Sequence, residues 1–179
     1  MADRFGENVV LWDTLLWTLV VAPVLIHFYR KETSLHRNRV PDLRCGFWLF
    51  VAGAVCSVMC RLAFSMLGTG GYEEETRALF SGNRLLQFIV LLVASPLWEE
   101  LFFRGILFAR LKNRFSVGRA AVISALCFGL YHGNLSDGIY AFLMGIFLAA
   151  AMERHRTVAA PIAVHMGANT AALVLELVK

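Results

Sequence analysis

Charge is scarce in this chain of 179 residues: 17% are charged and 58% hydrophobic, with a mean hydropathy of +0.62. An ordinary soluble domain carries about a quarter charged residues, so this balance excludes that class and indicates a membrane protein. Cysteine is also sparse. Cys45, Cys56, Cys60 and Cys127 form no CxxC pair and no metal-ligand spacing with histidine. That argues against a zinc ribbon or a redox motif and leaves them as small apolar packers. An HExxH motif is absent, which removes the strongest short signature of a zinc peptidase. The N-terminal MADRFGEN lacks a basic leader region, and no small-residue cleavage site follows it, so the first apolar stretch is expected to remain as a span. No internal repeat, low-complexity tract or linker interrupts residues 1–179, and a single integral-membrane domain is expected. The net charge of +4 is carried largely on short loops between apolar stretches. There it reports orientation and contact with anionic lipid headgroups rather than nucleic acid.

What is abundant is apolar sequence in long runs. Crossing about 30 Å of hydrocarbon at about 1.5 Å per helical residue is within reach of stretches from Val9 to Phe28, Gly46 to Leu67, Leu85 to Ala109, Val117 to Tyr131, Gly138 to Met152 and Val158 to Val178. The expected fold is therefore all-α, a polytopic bundle of about six transmembrane helices. The fourth and fifth spans are short, and HGNLSDG between them can close a tight hairpin. Basic residues support the count. Arg30, Lys31, Arg37, Arg39 and Arg44 fall between spans one and two, Arg110, Lys112, Arg114 and Arg119 between three and four, and Arg154 and Arg156 between five and six. The opposite side holds Arg4, Arg77, Arg84 and Lys179 with the acidic run Glu73, Glu74 and Glu75. By the positive-inside rule both termini face away from the cytoplasm, in a membrane expected to be the bacterial inner membrane. Arg61 lies late in the second span, where its aliphatic stem can snorkel outward.

Against this background the segment SPLWEELFFRGILF, residues 95 to 108, places Glu99, Glu100 and Arg104 among apolar neighbours. A charge at that depth costs at least a few kcal/mol unless it is paired or hydrated. Counted from the nearest basic loop residue, Glu99, Glu100, His132 and His165 lie roughly 14 to 20 Å deep, so a buried polar site is expected near the bilayer midplane. Glu100 and Arg104 are spaced i,i+4 and can pair on one helix face, which leaves Glu99 turned by about 100° with no partner expected in its own helix. Phe128 with His132, and His165 with Asn169, share faces by the same rule. Pro96 removes a backbone donor and can open the helix to water. Small residues recur nearby (Gly105, Gly129, Gly133, Ala163, Gly167, Ala168, Ala171), allowing close helix packing. Phe102, Phe103, Phe108 and the four tryptophans read as lipid-facing or interfacial packing rather than as a substrate box, and no role is assigned to them.

A carboxylate in a low-dielectric cavity can act as general base on water when a histidine shares the hydrogen bond, a description that Glu99 with His132 fits. Hydrolysis of an amide produces an oxyanion that needs preorganised donors, which His165 and Asn169 can supply.

EELFFR (Glu99 to Arg104), FGLYH (Phe128 to His132) and HMGAN (His165 to Asn169) resemble, in order, the EExxxR, FxxxH and HxxxN motifs of the CPBP family. That family includes the CAAX prenyl endopeptidases, bacterial intramembrane proteases and bacteriocin self-immunity proteins. The match covers residues 95 to 170, within a motif-bearing core of about 85–178, and the chain differs from the prenyl endopeptidases in having two spans before the motifs. The resemblance implies an intramembrane endopeptidase cleaving a membrane-anchored substrate. Glu99 and His132 would activate water, His165 and Asn169 would stabilise the oxyanion, and Glu100 and Arg104 would organise the site. No cofactor is expected. A zinc-dependent variant would use Glu99, His132 and His165, each from a different helix. Other readings of the polar residues are a non-enzymatic immunity factor or scaffold with an interhelical clasp, and a small carrier, for which the expected inverted repeat is missing.

Overall fold

The structure is a computed structural model that describes residues 8–33, 40–66 and 83–178. The acidic run Glu73 to Glu75 and the basic residues Arg4, Arg37, Arg39, Arg77 and Lys179 lie outside the described residues. Among the described residues six helices follow one another: α1 Val9–Thr33, α2 Leu43–Met66, α3 Arg84–Lys112, α4 Val117–Tyr131, α5 Leu135–His155 and α6 Ala159–Leu177. Five are long and apolar enough to cross a membrane, and α4 is a shorter apolar helix. The chain is an integral membrane helix bundle.

α3 occupies the middle, packing against α1, α4, α5 and α6. In its most apolar window 56% of the residues are buried, against 11% in α2, which identifies α3 as the helix that can carry charge without exposing it to lipid. α2 lies along α6, and α4 along α5. The α2–α6 seam depends on two glycines. A Cβ at Gly53 would lie 1.9 Å from the Val164 carbonyl oxygen, and one at Gly167 would lie 1.9 Å from that of Phe50. Backbone meets backbone here, the close approach that small residues permit between helices in lipid.

The short fourth span is found as expected, but the fifth is not short: α5 runs 21 residues. Asn134 sets its start by accepting from the Asp137 N–H at 2.8 Å, and Asp137 places negative charge at the helix N-terminus. Ser136 and Asp137 thus belong to the first turn rather than to the loop. The reversal before it passes through Gly133 at φ +76°, a conformation that suits glycine. At the opposite end of the bundle, Lys112 pairs with Glu153, and Arg110 with Glu32 at 3.4 Å, tying α3 to α5 and α1.

The aromatic residues divide. Trp12, Trp17, Trp48 and Phe102 are exposed as expected, whereas Trp98, Phe103 and Phe108 are buried. These last three face the packed interior of a helix surrounded by neighbours, so their place is core rather than lipid.

Candidate active site

α3 is not a uniform helix. α-Helical turns at Arg84–Ile89, Ser95–Glu100 and Ala109–Lys112 alternate with π-helical segments at Val90–Ala94 and Leu101–Phe108. Such segments concentrate at functional sites. In the first, the Ser95 N–H donates to the Val90 carbonyl, five residues back. The next residue in that register is Pro96, which has no N–H to offer the Leu91 carbonyl. Asn169 Nδ2, on α6, donates to that oxygen at 2.8 Å. The gap made by proline is thus closed by a side chain. In the second π segment the Phe103 carbonyl accepts from Ser124 Oγ of α4 at 2.9 Å.

Glu100 and Arg104 pair as their spacing predicts. Arg104 Nη1 lies 3.1 Å from Glu100 Oε1, and both side chains are fully buried. Arg104 also directs Nη2 at the Gly145 carbonyl of α5, 3.4 Å away. Its guanidinium carbon stands 4.2 Å from the Phe128 ring centroid, a cation–π contact. Gly145 makes this possible, because a Cβ there would stand 3.2 Å from Nη2 and 2.9 Å from the Ala125 Cβ.

His165 joins α6 to this pair. Its Nδ1 donates to Glu100 Oε1 at 2.8 Å, while Nε2 lies 3.8 Å from Glu99 Oε2. A carboxylate only accepts, so the Nδ1 proton is fixed by Glu100 and Nε2 is the nitrogen turned toward Glu99.

Glu99 does have a partner in its own helix. Ser95 Oγ donates to Glu99 Oε1 at 2.5 Å, correcting the expectation of an unpartnered carboxylate. Ser95 precedes it by four residues on an α-helical turn, so the two share a face. His132 ends α4, and its Nδ1 lies 2.8 Å from the Phe128 carbonyl. The side chains of Glu99 and His132 bond these separate partners rather than each other. His132 is linked to His165 through Phe128, whose ring stands 4.8 Å from the His132 ring and 5.9 Å from that of His165.

Glu100 thus joins Arg104 to His165, whose other nitrogen faces Glu99, Asn169 holds the α3 backbone at Leu91, and His132 stands across the Phe128 ring. Sequence reasoning missed Ser95, Gly145 and the linking role of Phe128. Ser95 was accessible to the rule that pairs Glu100 with Arg104, whereas Gly145 and Phe128 act between helices. Among the described residues no three His, Cys, Asp or Glu side chains are grouped so as to hold a metal ion.

The family model described as "Type II CAAX prenyl endopeptidase Rce1-like" matches residues 81–171, just over half the chain. A Bacillus subtilis (strain 168) protein named "Putative membrane peptidase YdiL" is 25% identical over 176 residues, covering 93% of this chain and 72% of that relative. No solved structure matches.

Proposed function

The chain belongs to the Type II CAAX prenyl endopeptidase Rce1-like family, and from that premise we propose that it is an intramembrane endopeptidase hydrolysing a peptide bond of a membrane-anchored substrate with activated water. The observation that carries this reading is the meeting of Glu99, Glu100 and His165 in a buried layer, with Glu100 already committed to Arg104. Glu100 is occupied by the clasp. Glu99 keeps Oε2 directed toward an imidazole and is the carboxylate suited to take a proton from water. His132 is the second imidazole of the reaction chamber, its Nδ1 engaged by a backbone carbonyl.

Attack on the substrate carbonyl generates an oxyanion. His165 Nε2 carries a proton to it once Glu99 has passed one on, and Asn169 retains a second amide N–H beyond the one given to Leu91. The proton then leaves with the departing amine, and Glu99 is restored as carboxylate. No metal enters this scheme, and cleavage that persists in chelator is the expected result for purified protein. Stoichiometric zinc together with chelator-sensitive cleavage would replace it with a metal mechanism.

The proposed setting is the cytoplasmic membrane of a bacterium, with both termini outside the cytoplasm. The distribution of Lys and Arg supports this orientation. The partners are the bilayer and a membrane-anchored peptide or protein. The test compares membrane proteomes of cells carrying wild-type or Glu99→Gln protein. A precursor that accumulates uncut only with Glu99→Gln is expected. Identical proteomes would favour a non-enzymatic clasp, in which a neutral amide preserves the hydrogen bonds.

A further inference from the structure

A hydroxyl in the middle of a helix usually bonds the carbonyl four residues back. Thr14, Thr18 and Thr170 do so, bonding the carbonyls of Val10, Thr14 and Met166 at 2.7 to 2.8 Å. Ser95 does not. Its corresponding carbonyl is that of Leu91, the oxygen that Pro96 leaves without a backbone donor and that Asn169 Nδ2 takes from α6. The Ser95 hydroxyl turns forward instead and donates to Glu99 Oε1. One oxygen of the carboxylate is thereby held, and the other, Oε2, is the one facing His165 Nε2.

We propose that Ser95 is a positioning residue for the reaction, fixing which oxygen of Glu99 receives the proton. The inference rests on the proposed peptidase reading and adds to it a residue outside the three motifs. The Ser95 hydroxyl stays bonded throughout turnover and exchanges no proton with substrate. Its effect is to hold the Glu99 side chain in a single rotamer, a gain in preorganisation that belongs to the chemical step rather than to substrate binding.

The probe is the precursor that accumulates in cells carrying Glu99→Gln, purified and mixed with enzyme in lipid vesicles. Loss of one hydrogen bond to a charged group predicts that Ser95→Ala lowers kcat by roughly ten- to a hundred-fold. KM and the melting temperature should stay close to wild type, and Ser95→Thr, which keeps the hydroxyl, should recover most of the rate. Wild-type kcat in Ser95→Ala alongside inactive Glu99→Gln would overturn the role of Ser95 and leave the peptidase reading standing. A change in KM alone, or equal losses in Ser95→Ala and Ser95→Thr, would overturn it as well. If no precursor accumulates, or if Glu99→Gln cleaves it, the peptidase reading fails and the inference falls with it.

Discussion

α6 has two seams of opposite character. Toward α2 it presents Gly167 and the Val164 carbonyl, and the contact is backbone on backbone. Toward α3 it presents His165 and Asn169, which meet a carboxylate pair and an orphaned carbonyl. Val164 and His165 are adjacent, so the packed seam fixes the rotation and depth of α6 and thereby the reach of its imidazole into the polar one. Packing in lipid lacks the hydrophobic driving force that holds soluble helices together, and close contact has to supply what burial from water would. The two seams divide the labour: one gives position, the other chemistry.

Changes to the reacting groups of the polar seam should separate stability from activity, whereas changes to its buried ion pair or to the packed seam should move both together. The largest effect is expected from Arg104→Leu. It leaves Glu100 buried without its cation, and loss of one partner of a buried pair costs about 3 to 5 kcal/mol. Thermal unfolding in detergent should show a large drop in midpoint, and cleavage should be lost with it. Asn169→Ala should cost about 2.7 to 4 kcal/mol of transition-state stabilisation if its second N–H serves the oxyanion, read as kcat/KM with unfolding changed far less. Next is Gly167→Ala, whose Cβ would drive into the Phe50 carbonyl. Overpacking of this kind costs about 1 to 3 kcal/mol, and stability and activity should decline in parallel. The smallest is Lys112→Ala at the end of α3. Its pair with Glu153 is partly exposed, such pairs contribute about 0 to 1 kcal/mol, and activity should remain.

Much of this architecture was legible in the order of residues. Apolar runs located six helices, and the start of α1 at Val9 and both bounds of α4 coincide with the expected ones. The i,i+4 rule found the Glu100–Arg104 clasp because both residues lie on one helix and need no tertiary information. The same rule would have found Ser95 with Glu99, had the hydroxyl been weighed against its ordinary habit of bonding backward. Other features depend on pairs distant in sequence. Gly53 gains its importance only from the backbone of α6, and Phe128 links Arg104, His132 and His165 from three helices. The π segments of α3 leave no period that apolar patterning detects, since that helix is apolar on nearly every side. α5 looked short because polar residues in its first turn resemble a loop until Asn134 is seen to cap them.

In the proposed reaction two neighbouring carboxylates carry different duties, Glu99 activating water and Glu100 holding the site, and one substitution separates them. Cleavage of the accumulated precursor in vesicles should be measured for Glu99→Gln beside the unfolding midpoint of the same protein. The rate should fall by about 10² to 10⁴-fold, the usual contribution of a general base, with a midpoint near that of wild type. Turnover at the wild-type rate by Glu99→Gln would contradict this assignment of duties.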